Sequence, residues 1–106
     1  MLVMAEEIQP EELKKIMYDK DIVIVDIRNP ALVKKKTVPG SINIDVYEDI
    51  YVSSPEVIKK KLSVLPKDKK IITVCNVGRT SVFVSQILKD MGYKTASLAG
   101  GVEGWD

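Results

Sequence analysis

The sequence predicts an α/β domain on a mainly parallel central sheet flanked by helices on both faces. Three observations carry that prediction. The runs Ile22-Val23-Ile24-Val25 and Ile71-Ile72-Thr73-Val74 are short, apolar and β-branched without alternation, the pattern of strands covered on both faces. Stretches with helical spacing of apolar residues separate such runs, so strands and helices alternate along the chain. Cap and turn signals, among them Pro10, Pro39-Gly40, Ser53-Ser54-Pro55 and Gly92, fall at the junctions.

Taken in order, Glu6-Glu7-Ile8 reads as a short first strand. Pro10-Glu11-Glu12-Leu13 opens a helix, with proline in the first turn and acids at the positive dipole end. Leu13, Ile16 and Met17 give its buried face, and Asp19-Lys20-Asp21 ends it. The strand Ile22–Val25 runs into Asp26-Ile27-Arg28. Asn29-Pro30 starts a turn, residues 31–41 form a loop, and Ser41 to Asp45 alternates like a short strand. Tyr47 to Val52 fits either element type. Ser53-Ser54-Pro55-Glu56 starts a helix whose buried stripe is Val57, Ile58 and Leu62. A surface connection over 65–70 leads to the strand ending at Val74. A helix follows over Val82 to Met91, with Phe83, Val84, Ile87, Leu88 and Met91 at i, i+3, i+4 spacing, Thr80 or Ser81 as N-cap and Gly92 as its C′ residue. Tyr93 to Leu98 is a further strand. Ala99-Gly100-Gly101 is a flexible turn, and Val102 to Trp105 begins a short helix.

Composition narrows the functions open to such a domain. At 106 residues the chain is one domain, large enough for a core without covalent staples. A formal net charge of +1, from 16 basic and 15 acidic residues, argues against general binding to nucleic acid or membranes. The clusters Lys34–Lys36 and Lys59–Lys61 read as solvated faces, with a docking patch for an acidic partner as the sharper alternative. One cysteine excludes an internal disulfide and a CxxC pair, and zero histidines exclude His-based acid–base chemistry and Cys-His or Ser-His-Asp designs within this chain. Zinc ligation and any other cofactor are not expected. Met1 to Ala5 is too short for a signal peptide, and no run approaches transmembrane length. The expected location is cytoplasmic.

The chemistry converges on that one cysteine, Cys75. It closes the Ile71–Val74 strand and is followed by the polar loop Asn76-Val77-Gly78-Arg79-Thr80-Ser81, which opens directly into a helix. A thiol at this junction meets the free N–H groups and positive dipole of the first helical turn. Loop N–H groups around Gly78 and the charge of Arg79 add to these, and all three features favour thiolate over thiol. The bland alternative is a small buried hydrophobe. Asp26 and Gly100 also lie at carboxyl ends of strands, where ligands bind in open parallel sheets. Asp26 either orients the cysteine loop or simply bonds nearby backbone N–H groups. Trp105 reads as packing, and Tyr47 and Tyr51 as residues that could rim a pocket.

From about Ile8 to Trp105 the chain resembles the rhodanese family. The resemblance is carried by Pro10-Glu11-Glu12-Leu13, Ile24-Val25-Asp26-Ile27-Arg28, Val38-Pro39-Gly40-Ser41-Ile42-Asn43-Ile44, Cys75 through Ser81, and Leu98-Ala99-Gly100-Gly101-Val102-Glu103-Gly104-Trp105. The cysteine loop looks most like that of small single-domain thiosulfate sulfurtransferases. The resemblance implies a rhodanese-like domain in which Cys75 takes a sulfane sulfur as a persulfide and passes it on in a ping-pong cycle. It makes Asn76, Val77, Gly78, Arg79 and Thr80 the substrate cradle, with Asp26, Arg28 and Ser81 in support. The implied partners are a small anionic donor such as thiosulfate and a thiol or cyanide acceptor, or a protein sulfur carrier. Related phosphatases use a longer Cys-x5-Arg loop; here that register falls on Ser81 and Arg79 stands two residues early, which disfavours phosphatase or arsenate reductase activity. Many relatives have a glutamate soon after the Asp-x-Arg segment that pairs with the arginine. Pro30-Ala31-Leu32-Val33 offers none, so Arg28 is expected to pair elsewhere or to point to the site. The rival reading is a sulfur-relay or regulatory binding module that docks through Lys34–Lys36.

Overall fold

The computed structural model describes residues 6–106. In chain order it comprises β1 (Glu7–Ile8), α1 (Pro10–Ile16), β2 (Ile22–Asp26), α2 (Pro30–Lys35), β3 (Ile42–Asn43), α3 (Asp49–Val52), α4 (Pro55–Leu62), β4 (Lys70–Val74), α5 (Thr80–Asp90), β5 (Lys94–Leu98) and a 3₁₀ turn (Val102–Gly104). The strands form one sheet in the order β1-β5-β4-β2-β3, and every pairing is parallel. The expected α/β class and mainly parallel sheet are therefore what the chain adopts. Met1 to Ala5, read above as too short for a leader, lie outside the described residues. Among the described residues no helix is long and apolar enough to cross a membrane.

The two continuous apolar runs occupy the centre of the sheet, and alternate residues feed cores on opposite faces. Val25 and Ile71 join Ile58, Leu62, Val84, Leu88 and Tyr93 on one side. Ile24, Ile72 and Val74 join Leu13, Ala96, Leu98, Val102 and Trp105 on the other. Each fully buried Leu, Ile or Val contributes about 1.5–3 kcal/mol, so these layers fix the strands that carry the site. The register places Asp26 opposite Val74. The segment after β2 and the cysteine after β4 thus emerge side by side at the carboxyl edge.

Four expectations need correction. Residues 30–35 are helical rather than loop, because Asn29 is an N-cap whose Oδ1 accepts from Leu32 N at 3.0 Å, with Pro30 at the first helical position. The alternating stretch 41–45 keeps only Ile42–Asn43 as strand, at the sheet edge. Phe83 and Val57 are not in the buried stripes; they are 53% and 41% exposed on the outer flanks of α5 and α4. Neither Thr80 nor Ser81 caps α5. Arg79 occupies the N-cap position without a side-chain cap, and Ser81 is fully buried. Tyr47–Val52 settles as a turn at Tyr47-Glu48 followed by α3 itself. Gly92, with φ +98°, terminates α5 at the C′ position as its place in the sequence predicts.

Candidate active site

Cys75 follows β4 and is 2% exposed. The loop behind it folds back so that Gly78 N–H and Ser81 N–H both donate to its sulfur, at 3.2 and 3.3 Å. The Ser81 hydroxyl lies 3.2 Å from the same atom. The sulfur is thus buried at the edge of the core layer of Val25, Ile71 and Val84, and it also receives two backbone N–H groups.

Backbone orientation completes the cradle. Cys75 C=O accepts from Val102 N–H at 2.9 Å, and Asn76 C=O accepts from Glu103 N–H at 3.0 Å. In a trans peptide the carbonyl and the following N–H point opposite ways. The N–H groups of Asn76 and Val77 therefore point away from the 3₁₀ turn. Among the described residues neither has a protein acceptor, and neither do those of Arg79 and Thr80. The C-terminal turn thus draws the loop carbonyls backward and leaves an edge of unclaimed donors. Gly101, at φ +59°, makes this approach possible: a Cβ there would lie 2.5 Å from the backbone of both Cys75 and Asn76. Gly78 is held similarly, with φ +89° and a would-be Cβ 3.0 Å from Gly100 N.

Asp26 and Arg28 brace the loop from the side. Arg28 Nε and Nη2 donate to Asp26 Oδ1 and Oδ2 at 2.9 and 2.7 Å, and Nη1 donates to Asn76 Oδ1 at 3.0 Å. A further Arg28 bond goes to Lys36 C=O at 2.6 Å. The other carboxylate contacts are Arg28 N–H on Oδ1 at 3.1 Å and the Thr37 hydroxyl on Oδ2 at 2.7 Å. Asp26 therefore bonds a backbone N–H and is linked through Arg28 to Asn76 in the cysteine loop. Arg28 pairs with these groups instead of a following glutamate, and is 4% exposed.

Of the remaining cradle residues, Val77 is 49% exposed at the loop tip. Arg79 is exposed, with no ion pair or side-chain hydrogen bond among the described residues. Beside the loop is a pocket of about 170 Å³ lined by Arg28, Asn29, Leu32, Asp45, Tyr47, Glu48 and Asn76. A larger one, about 310 Å³, lies at the opposite end of the strands, by Lys70 and Lys94, and contains none of these residues. Tyr47 does rim the smaller pocket, edge-on to Tyr51 with ring centroids 5.7 Å apart. Tyr51 raises the Tyr47 phenol above its ordinary range, and negative charge on Cys75 adds to this.

The sequence reading missed Ser97 and Thr37. Only Ser97 carried a signal, a hydroxyl between Ala96 and Leu98 in a buried strand. Trp105 packs as expected, 5% exposed in the core with Lys14 Nζ 5.2 Å from its ring centroid.

The fold and this site together define a parallel α/β domain presenting a single cysteine within reach of the backbone N–H groups of Gly78 and Ser81. The family model described as "Rhodanese-like domain" matches residues 9–106, and the chain belongs to that family. It is 28% identical over 104 residues to a sulfurtransferase of Allochromatium vinosum, covering 96% of this chain and 89% of that protein. It is 31% identical over 81 residues to the thiosulfate sulfurtransferase PspE of Escherichia coli, covering 74% and 69%. Among solved structures, a rhodanese-related protein from Thermoplasma volcanium superposes with a TM-score of 0.76 at 24% identity, covering 94% and 89%, a likeness of fold. Family and relatives support sulfur transfer as the general activity.

Proposed function

We propose that this domain moves a sulfane sulfur from thiosulfate, or a related anionic donor, to a thiol or cyanide acceptor through a persulfide on Cys75. The observation that carries this reading is the Cys75 sulfur held by two backbone N–H groups beside a rim of unpaired ones. The thiolate attacks the outer sulfur of thiosulfate. An S–S bond forms to Cys75 as the bond to the sulfonate sulfur breaks, and sulfite leaves with that electron pair. The negative charge now rests on the outer persulfide sulfur, where the N–H groups of the loop would hold it. An acceptor thiolate or cyanide then attacks that sulfur, and Cys75 departs as thiolate.

Arg79 neutralises the sulfonate during the first half, and the Arg28–Asn76 bond keeps the loop in its donor-inward form. A reducing, cytoplasmic setting belongs to this reading because the single thiol must stay unoxidised. The name of the Escherichia coli relative lends support to thiosulfate as donor.

Intact mass spectrometry after thiosulfate treatment tests the proposal. The expected result is a gain of one sulfur atom, removed by cyanide and absent from Cys75→Ser. A reduced, folded sample that gains nothing would overturn it for thiosulfate.

A further inference from the structure

Behind the Cys75 sulfur, on the side away from solvent, lies a second hydroxyl that the sulfur transfer described above does not use. Ser97 in β5 is fully buried, and its Oγ stands 2.6 Å from Ser81 Oγ. Ser81 Oγ in turn stands 3.2 Å from Cys75 Sγ. The sheet register pairs Thr73 with Ser97, and the two side chains hold Ser81 together: the Thr73 hydroxyl donates to Ser81 C=O at 2.8 Å, and Ser97 meets its hydroxyl. Among the described residues Ser81 Oγ is the only hydrogen-bond partner of the Ser97 hydroxyl.

Counting protons along this row shows what it favours. With a neutral thiol, Sγ–H donates to Ser81 Oγ and Ser81 O–H turns to Ser97 Oγ, so among the described residues the buried Ser97 proton has no acceptor. With a thiolate the row holds two protons for the same two links: Ser97 O–H donates to Ser81 Oγ, and Ser81 O–H donates to the sulfur. Buried polar hydrogens without acceptors are costly, whereas aligned hydroxyls polarise one another toward the charge. We propose that Ser97 is a positioning residue that aims the Ser81 hydroxyl at Cys75, giving the sulfur a third donor beside the two backbone N–H groups. The inference rests on Cys75 being the reacting atom, but not on which donor loads it.

The other charged and titratable groups around the sulfur are Asp45, Tyr47 and Glu48 ahead of α3, Arg79 in the loop, the Arg28–Asp26 pair beyond Asn76, and Glu103 on the turn behind. The neighbours from β5 and the first turn of α5 are the uncharged Ser97, Thr80 and Ser81.

The test is the pH profile of Cys75 alkylation by iodoacetamide in the wild type, Ser97→Ala, Ser81→Ala and the double variant. Ser81→Ala is expected to lower the rate at pH 7 roughly tenfold, the loss of one charge-assisted hydrogen bond. Ser97→Ala is expected to lower it about threefold and to move the profile to higher pH. In the Ser81→Ala background, removing Ser97 should change nothing further. Ser97→Thr, which keeps the hydroxyl, should restore the profile. A wild-type profile in Ser97→Ala, or an equal loss in both backgrounds, would overturn the proposal. Alkylation reads the thiolate whether or not a persulfide forms, so failure of thiosulfate loading is a separate outcome from failure here.

Discussion

Arg28 Nη1 donates to Asn76 Oδ1 at 3.0 Å, joining the end of β2 to the first residue of the cysteine loop. The same guanidinium forks onto Asp26, so one side chain serves both the sheet edge and the cradle. Arg28→Ala leaves the fully buried Asp26 carboxylate short of its counter-ion and is expected to cost about 3–5 kcal/mol in urea unfolding. Asn76→Ala removes one partner only. It should cost about 1–2 kcal/mol while lowering sulfur transfer further than that loss of stability explains.

Cys75→Ser should abolish sulfur transfer and leave the fold intact. The hydroxyl is smaller than the thiol, and the Gly78 and Ser81 N–H groups can still donate to it. A stability change of no more than about 1–2 kcal/mol is expected, with turnover at background in a cyanide-trapping assay.

At Gly101 an added methyl has no room, since it would sit 2.5 Å from the backbone of Cys75 and Asn76 at a positive φ. Gly101→Ala is expected to cost about 3 kcal/mol and to push the loop away from the 3₁₀ turn. Thermal unfolding and transfer rate should fall together, unlike in Cys75→Ser.

Arg79 is exposed and unpaired among the described residues, so its removal should barely touch stability. For Arg79→Ala we expect a change within about 0.5 kcal/mol in unfolding. The apparent KM for thiosulfate should rise several-fold, an effect that shrinks as salt screens the charge. Steady-state kinetics at two ionic strengths would measure both.

Burial raises the Tyr93 phenol above its ordinary value of about 10. Its hydroxyl donates to Leu65 C=O at 2.8 Å. The unfolded chain then loses this proton before the folded one does. Its contribution is therefore complete below about pH 10 and declines as pH rises through and beyond that range. Tyr93→Phe should flatten this alkaline decline in chemical denaturation while costing about 1 kcal/mol at neutral pH.

Much of this was legible in the residues. Ile22–Val25 and Ile71–Val74 read as doubly covered strands because their apolarity is continuous, and Cys75 and its loop followed from the strand–loop–helix junction. What failed had local physical causes. Asn29-Pro30 serves equally as turn signal and as cap plus first helical residue, and only the chain's path beside β2 selects the second. Phe83 fits the helical period of α5, yet the period cannot say where a stripe's edge meets solvent. Ser81 satisfies the usual chemistry of an N-cap, but tertiary contacts with Cys75 and Ser97 claim its hydroxyl instead. Asp26 stands only two residues before Arg28, but the second bond, to Asn76 48 residues away, has no signal in the sequence.

The two carbonyls that set the cradle's polarity are held by Val102 and Glu103, which follow every strand and helix in chain order. The sheet pairings and α5 do not depend on these two bonds, whereas the direction of the loop carbonyls does. Undocking Gly101 to Glu103 would therefore free the carbonyls of Cys75 and Asn76 while the strands stay paired, so the polarity of the loop is separable from the fold that carries it.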